Sequence, residues 1–398
     1  MKLWIIGAGP GDPSLVSAYA LQAMREAQVV LATGRLWEAF QPILENVRLV
    51  SLTEMETFLT DNPEDLTKVA VLASGDVGFY SISKRLTEKL QGIWEIQRVS
   101  GISSLQYLCA KLNIDYDDIK TVSVHGRDRS IIPFVSYSGK VFVLTGGQYR
   151  AQDVAEQLYQ ANMDHVVLHV GENLSSGQER ILTAAPSAVR EMEFGNLAVL
   201  LIENAHAVDC RHQLRDEDFL RGKVPMTKEE IRMLSVAKLD IHPQDVIWDI
   251  GAGTGSVSIA MAYAASEGMV YAIERHEEAV ALLAENRKRL GAYNVQIRHA
   301  TAPEGLEQLP APDKVFIGGS SGNMDAILEA VLRKNPAAQM VVNVITLETL
   351  QAAVTSMEQR QLEPEILCAS MSKADVVGGY HMMKGLNPIY ILSGRRRA

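Results

Sequence analysis

The sequence lacks several features that would place it at once in a common class of proteins. It has only three cysteines, Cys109, Cys210 and Cys368, and their scattered positions indicate neither a disulfide framework nor a cysteine metal site. No apolar run approaches the roughly 20 residues that a membrane-spanning helix needs. The formal net charge of −10 argues against a protein that holds nucleic acid by bulk positive charge.

The N-terminus also lacks the basic leader and cleavage site of a secretory signal, and it enters a strand pattern at once. We therefore expect a cytoplasmic protein with no membrane anchor, no nucleic-acid partner and no metal. The chain is instead long and rich in apolar residues. The 398 residues are enough for two or three domains, and 47% of them are hydrophobic, which suffices for sizeable cores.

Short apolar runs alternate with amphipathic segments along the chain, which predicts an α/β fold with strands covered on both faces. We assign residues 1–204 to a first domain and residues 225–398 to a second domain with a doubly wound sheet of about seven strands. Residues 205–224 are rich in charge, and we interpret them as a linker. The predicted strands of the second domain are Val246–Ile250, Met269–Ile273, Val295–Ile297, Lys314–Ile317, Met340–Val344, Glu365–Leu367 and Pro388–Leu392.

A glycine-rich turn at residues 251–255 (Gly-Ala-Gly-Thr-Gly) follows an apolar run that contains Asp249. A dinucleotide fingerprint needs its third glycine at the sixth position, but Ser256 stands there and the third glycine comes one residue earlier, at Gly255. This spacing after a strand with an acid is instead typical of S-adenosylmethionine (SAM) methyltransferases. The glycines let the backbone turn tightly and leave room for a ligand, whose ammonium Asp249 would face. A ligand-free turn and a nicotinamide site are the alternatives.

Further residues of the second domain fit the same interpretation. Glu274 ends the next strand, where an acid accepts hydrogen bonds from ribose hydroxyls. Thr227 is predicted to cap a helix, with Glu230 three residues later completing a capping box. The predicted cofactor-binding residues are Thr227, Asp249, Gly251, Ala252, Gly253, Thr254, Gly255, Glu274 and Ala302. The predicted substrate-binding residues are Gly318, Gly319 and Ser320, for which a plain turn is the alternative.

The first glycine-rich turn, at residues 7–13 (Gly-Ala-Gly-Pro-Gly-Asp-Pro), has a different pattern. Pro10 and Pro13 remove two backbone donors, so the turn is poorly suited to cradle a phosphate. A stiff loop at the end of a strand favours a pocket for a large flat ligand. Small or polar residues also follow other predicted strands of this domain and would line a ligand crevice there. For Ser103 and Ser104 the alternative is that they cap a helix, and for Arg127 the alternative is a solvated loop.

These segments together resemble known families. Residues 7–13, 74–76, 101–104, 125–127, 172–174 and 179–181 resemble motifs of the tetrapyrrole (corrin/porphyrin) methylases. Residues 226–232, 249–255, 302–304, 316–320, 343–349 and 387–388 resemble motifs of the decarboxylating methyltransferases of corrin synthesis. The resemblance covers nearly the whole chain. It implies a two-lobed tetrapyrrole methylase fold for the first domain and a seven-stranded Rossmann-like SAM methyltransferase for the second.

The resemblance also implies an activity. It implies that the first domain methylates C5 of a precorrin macrocycle, and that the second methylates C15 and removes CO2 from the ring C acetate, in cobalamin biosynthesis. SAM would be the cofactor of both domains, and a homo-oligomer is expected because the first family commonly dimerises. In the first domain it assigns cofactor binding to Gly75, Asp76, Ser103, Ser104 and Thr145, and substrate binding to Gly9, Pro10, Gly11, Asp12 and Arg127.

Other interpretations stay open at this point. The chain is alternatively a methyltransferase of another substrate, of the diphthamide or RNA type, or a SAM-binding protein without catalysis. No residue is singled out as catalytic, because a direct methyl transfer needs mainly alignment and exclusion of water. Whether the macrocycle already contains cobalt is also open.

Overall fold

The computed structural model describes residues 1–61, 64, 66–124, 130–147 and 149–396. The chain divides into two compact units. The first unit consists of residues 1–129, 140–156 and 164–203, and the second of residues 130–139, 157–163 and 204–398. Each unit combines helices with sheets that contain parallel strands, which confirms the predicted α/β class.

The first sheet of the first unit is entirely parallel, with strand order β3-β2-β4-β1-β5. Its strands are β1 Lys2–Gly7, β2 Val29–Ala32, β3 Val47–Leu49, β4 Lys68–Ala73 and β5 Glu95–Val99. The helices are α1 Ala18–Glu26, α2 Gly34–Phe40, α3 Leu52–Asp61, α4 Ser83–Leu90 and α5 Ser104–Leu112. The central strands β1 and β4 are almost completely buried because both of their faces are covered. Since the strands are parallel, the loops that follow them gather at one edge.

The second sheet of this unit is mostly antiparallel, with strand order β6-β7-β10-β8-β9. Its strands are β6 Lys120–Ser123, β7 Lys140–Leu144, β8 Val167–Glu172, β9 Arg180–Ala184 and β10 Ala198–Glu203. The helices in this part of the sequence are α6 Ile132–Tyr137, α7 Ala151–Gln160 and α8 Pro186–Val189, of which α6 belongs to the second unit. The two five-stranded sheets agree with the predicted two-lobed fold.

The second unit contains the predicted seven-stranded sheet, with order β13-β12-β11-β14-β15-β19-β16. The strands of this part of the chain are β11 Val246–Ile250, β12 Met269–Glu274, β13 Val295–His299, β14 Lys314–Ile317, β15 Gln339–Val344, β16 Glu365–Ala369, β17 Ser372–Val377, β18 Tyr380–Gly385 and β19 Ile389–Gly394. The helices are α9 Glu229–Leu239, α10 Ser256–Ala264, α11 Glu277–Arg289, α12 Met324–Lys334 and α13 Leu347–Gln359. The first five strands pair in parallel, and β19 runs antiparallel to β15 and β16.

Two features of the second unit differ from the sequence interpretation. Strands β17 and β18 form a separate exposed hairpin that the apolar pattern did not predict. Gly378 and Gly379, both with positive φ, connect the two strands, and such a pair is typical of a tight hairpin turn. Within the stretch interpreted as a linker, Leu214 and Phe219 are buried in the core of the second unit.

Within the described residues, every helix is too short or too polar to cross a membrane. In the same residues, the side chains of His, Cys, Asp and Glu do not come together in groups of three or more that would hold a metal ion.

Candidate functional site

A cavity of about 880 Å³ opens at the carboxyl edge of the seven-stranded sheet. The ends of β11, β12, β14 and β15 and the segment before α9 line it. Strand order reverses between β11 and β14, because β12 and β13 lie on one side of β11 and the next strands, β14 and β15, lie on its other side. Ligands bind at this point in open α/β sheets, and the volume is in the usual range for a ligand pocket.

The glycine-rich turn after β11 forms one wall of the cavity. Gly251 and Gly255 have φ values of 77° and 79°, in the left-handed region that favours glycine. A Cβ atom at Gly251 would lie 2.7 Å from the carbonyl oxygen of Gly319, and one at Gly255 would lie 2.6 Å from Cγ of Leu283. Both positions therefore require glycine for backbone conformation and for space.

Asp249 lies in β11, beneath this turn, and is fully buried. Its Oδ2 accepts a hydrogen bond from the Ser258 hydroxyl, and its Oδ1 has no partner among the described residues. The pKa of Asp249 is raised to about 7, chiefly by burial and to a lesser degree by the negative charge of Glu274, while the Ser258 hydroxyl acts in the opposite direction. A positively charged ligand at Oδ1 would favour the ionised carboxylate.

Glu274 ends β12 and is also buried. Its Oε2 accepts a hydrogen bond from the amide of Gly253 at 2.9 Å, and its Oε1 accepts from the amides of Arg275 at 2.8 Å and His276 at 2.9 Å. Three backbone donors thus fix this carboxylate at the cavity wall and tie the end of β12 to the glycine turn. A carboxylate has about four acceptor positions, so one is left for a further donor.

Other cavity residues carry buried polar atoms without a partner among the described residues. These atoms are Oδ1 of Asn343, Oε2 of Glu230 and Oγ1 of Thr254. The amide of Asn343 donates to the Ser235 hydroxyl at 2.8 Å, and Oε1 of Glu230 pairs with Lys373 at 2.7 Å, which holds the pKa of Glu230 below its usual value. A buried acceptor without a donor costs about 1–3 kcal/mol. The cavity therefore favours a ligand that brings donors or positive charge.

The helix cap predicted upstream is wrong in detail. The N-cap residue of α9 is Lys228, without a side-chain capping hydrogen bond, rather than Thr227. Instead, Thr227 lines the cavity, and its carbonyl accepts a hydrogen bond from Nη1 of Arg232 at 3.0 Å. Glu230 is accordingly a cavity residue with an ion pair to Lys373, not the second half of a capping box.

The predicted site residues of the second domain come together in space. All of them except Gly255 line the cavity. Those that do are Thr227, Asp249, Gly251, Ala252, Gly253, Thr254, Glu274, Ala302, Gly318, Gly319 and Ser320. Sequence reasoning assigned no role to Asn343, although it stands at the start of one of the segments that carry the family resemblance.

The first unit has a second candidate site, where the loops after β1, β4 and β5 meet. Gly9 and Gly75 exchange two backbone hydrogen bonds, of 3.2 and 2.8 Å. Asp76 joins the third loop, because its Oδ2 accepts a hydrogen bond from the amide of Gly101 at 3.0 Å, while its Oδ1 accepts from the amide of Gly78 at 2.8 Å. The predicted cofactor segment at Gly75 and Asp76 thus contacts both the first glycine turn and the loop before α5.

Several other predicted residues of this unit form hydrogen bonds within it. Ser103 is the N-cap of α5, with a capping box to Gln106, and Ser104 is the first residue of the helix. The hydroxyl of Thr145 donates to the carbonyl of Ala198 at 2.6 Å. The Asp12 amide donates to the Ser175 hydroxyl at 3.1 Å. Arg127 lies outside the described residues.

Sequence reasoning missed Arg35, which lies beside the first glycine turn. Its Nη1 donates to the carbonyl of Pro10 at 2.8 Å, and its Nη2 donates to the Ser74 hydroxyl at 2.9 Å. Arg35 therefore connects the loop after β1 with the loop after β4. A weak signal was available, because Arg35 closely follows the predicted end of β2.

Two known protein families match the sequence. Residues 2–187 match the tetrapyrrole (corrin/porphyrin) methylases, and residues 218–396 match a precorrin methyltransferase domain. A precorrin-6Y C(5,15)-methyltransferase (decarboxylating) from Sinorhizobium is 27% identical over 394 residues, which cover 97% of this chain and 94% of that protein. A cobalt-precorrin-6B C(15)-methyltransferase (decarboxylating) from Salmonella typhimurium is 36% identical over 183 residues, which cover 45% of this chain and 94% of that protein.

Solved structures are also similar to part of the chain. The crystal structure of a precorrin-6Y C5,15-methyltransferase from Geobacter metallireducens is 37% identical, with a TM-score of 0.45. The match covers 46% of this chain and 96% of that chain.

We predict that Gly255→Ala lowers the stability of the protein more than a glycine substitution at an open position with the same backbone conformation. The added methyl group would meet Leu283 and would also be strained at positive φ, a combined cost of about 2–4 kcal/mol. Gly322→Ala is the matched control, because Gly322 has a φ of 87° and no atom within 4 Å of the added Cβ. Calorimetric unfolding of both full-length variants measures the difference, and equal losses of stability would contradict the steric argument.

The raised pKa of Asp249 predicts how stability depends on pH. A carboxyl whose folded pKa is raised from 3.8 to about 7 contributes most stability below about pH 4, and this contribution is lost as pH rises to about 7. The free energy of unfolding of the ligand-free protein should therefore fall over this interval, relative to that of Asp249→Asn, by a few kcal/mol. Denaturant titrations at several pH values measure the two curves. Parallel curves would show that Asp249 is not the group that titrates.

Proposed function

The chain belongs to the family of decarboxylating precorrin methyltransferases, and we propose that it transfers methyl groups from SAM to C5 and C15 of a precorrin macrocycle, with loss of CO2 from the ring C acetate. The reaction belongs to cobalamin biosynthesis. The observation that carries the proposal is a set of buried polar atoms around the second-unit cavity, on Asp249, Asn343, Glu230 and Thr254, that find no hydrogen-bond partner in the described parts of the chain. Three of these four atoms can only accept hydrogen bonds, so they suit a cofactor rich in donors and positive charge.

SAM fits this cavity in its chemistry. Its ammonium, ribose hydroxyls and adenine amine are donors, and its ammonium and sulfonium are positive charges, that can meet the acceptors of the cavity. It also supplies a methyl group already activated by the positive sulfur. In our proposal Asp249 binds the ammonium and Glu274 binds the ribose hydroxyls. The turn at residues 251–255 gives the cofactor access to the main chain, and Ala302, which is small and nearly buried, lies beside the adenine.

The macrocycle would bind at the side of the cavity formed by Gly318, Gly319 and Ser320. Its side chains end in carboxylates, and Lys223, Lys228 and Arg275, which also line the cavity, offer local positive charge in a protein whose net charge is −10. The role of the chain is then to orient the macrocycle and to exclude water.

Loss of CO2 from the acetate would be favoured in a part of the cavity with little water. Apolar residues line one side of it, namely Ile345, Met371, Leu386 and Ile389. A carboxylate next to such side chains is poorly solvated, which favours the neutral product CO2, while the conjugated macrocycle accepts the electron pair of the broken carbon–carbon bond.

We assign the C5 methylation to residues 1–204 and the C15 methylation with decarboxylation to residues 225–398, joined by residues 205–224. In the first unit, the joined loops after β1, β4 and β5 support a second SAM site that includes Gly75, Asp76, Ser103, Ser104 and Thr145. The turn at residues 9–12 would contact the macrocycle there. A homo-oligomer and a cytoplasmic location stay predictions.

The proposed function is tested by incubating the full chain with methyl-labelled SAM and a precorrin-6 extract. We expect two methyl groups to enter each macrocycle and one CO2 to leave it, as measured by mass spectrometry of the product. Glu274→Gln should reduce C15 methylation at least tenfold, because it replaces the charged carboxylate that three amides hold, and it should leave C5 methylation unchanged.

The control for this variant is Glu285→Gln, which removes the same charge from an exposed position of α11 outside the cavity lining. It should behave as the unsubstituted protein does. SAM binding without any methyl transfer by the unsubstituted protein would contradict the proposed function. An equal loss of both methylations in Glu274→Gln would contradict the assignment of Glu274 to the C15 site.

A further inference from the structure

Arg35 is a half-buried cation whose hydrogen-bond partners are both neutral. Its guanidinium donates to the Pro10 carbonyl and to the Ser74 hydroxyl. Among the residues that the structure describes, no carboxylate oxygen lies within 4.0 Å of it. Because the two hydrogen bonds use only part of its five donors, the guanidinium retains N–H groups for a planar acceptor such as a carboxylate.

The electrostatics of Arg35 point in the same direction. Burial lowers the pKa of Arg35, and within the described part of the chain no carboxylate offsets this effect. Arg232, which is buried in the second unit, shows the contrast, because Asp216 lies 3.3 Å from its Nη1 and counteracts the burial. A partly desolvated cation without an anion beside it is unfavourable. An ion pair between Arg35 and an anionic ligand would therefore contribute more to binding than an exposed ion pair contributes to stability.

The position of Arg35 identifies which ligand it would meet. It follows β2 at the edge of the parallel sheet where ligands bind, and it contacts the loops after β1 and β4. A Cβ atom at Gly11 would lie 3.5 Å from its Nη1, so the lack of a side chain there leaves that side of the guanidinium uncovered. The prolines of the same turn remove the backbone donors that a phosphate would need, which favours a carboxylate.

We propose that Arg35 binds a side-chain carboxylate of the tetrapyrrole macrocycle at the first-unit site and thereby holds the ring for methylation at C5. The inference rests on the proposed function. Arg35 is a substrate-binding residue in this account and takes no part in the transfer itself. Its two hydrogen bonds to neutral partners fix the guanidinium, so that the carboxylate meets a preformed donor group.

The test uses the full chain with the substitutions Arg35→Gln and Arg35→Lys, in the precorrin-6 assay with labelled SAM. We expect Arg35→Gln to raise KM for the C5 methylation at least tenfold with little change in kcat, because binding that is equal in ground state and transition state appears in KM. The macrocycle that has gained the C15 methyl group and lost CO2 from its acetate, but has not been methylated at C5, should accumulate. Arg35→Lys keeps the charge but not the planar fork, and its KM should be intermediate.

Two controls separate binding from a structural effect. C15 methylation with CO2 loss, measured in the same reaction, reports that the second unit of the variant is intact, and calorimetric unfolding compared with the unsubstituted protein reports whether the first unit is folded. Arg25→Gln removes an exposed arginine in the last turn of α1, at the opposite edge of the sheet, and should leave both steps unchanged. Added salt should raise KM of the unsubstituted protein for the C5 step more than that of Arg35→Gln, which a purely structural role would not produce.

The outcomes are distinguishable. If the unsubstituted protein transfers no methyl group, the proposed function fails, and the substrate proposed for Arg35 fails with it. If the unsubstituted protein methylates C5 and Arg35→Gln has a KM within twofold of it, the proposed function stands and the role of Arg35 is overturned. A fall in kcat with unchanged KM and unchanged salt dependence would also overturn it, because Arg35 would then only support the loops.

Discussion

In the second unit the main chain at Gly251 passes so close to Gly319 that no side chain fits between them. The 2.7 Å separation between a Cβ built at Gly251 and the Gly319 carbonyl oxygen measures this constraint, and the amide of Gly318 donates to the Ile250 carbonyl at 2.9 Å. Because the loops after β11 and β14 touch, they close the bottom of the cavity at the point where strand order reverses. Asp249 lies fully buried in the strand beneath it, and the Gly253 amide donates to the Glu274 carboxylate.

The first unit meets a similar constraint with different residues. A Cβ at Gly101 would lie 2.3 Å from the carbonyl oxygen of Gly7, so the loops after β1 and β5 also approach through glycine. Asp76 then bridges to the Gly101 amide from the loop after β4. The two candidate sites therefore share one design, in which glycine contacts bring strand-end loops together and an acid hydrogen-bonded to backbone amides fixes them. They differ in stiffness, because the first turn contains prolines and the second does not.

Sequence reasoning predicted the parts of the fold that local pattern controls. The central strands β1, β4, β11 and β12 are apolar runs because they are covered on both faces. The glycine spacing followed by Glu274 pointed to the sheet edge at which the cavity opens. Strands β17 and β18 escaped prediction because every residue in them is exposed and polar residues interrupt their apolar ones, so only the Gly378-Gly379 pair indicated a turn. Asn343 and Arg35 escaped because tertiary packing, rather than spacing along the chain, brings them to the sites.

The central claim is that each half of the polypeptide holds its own SAM. Calorimetric titration of the full chain with S-adenosylhomocysteine tests it most directly, because the number of binding events per polypeptide does not depend on the macrocycle. The account predicts two events. A single event, or none, at concentrations that saturate other SAM-dependent enzymes would contradict it.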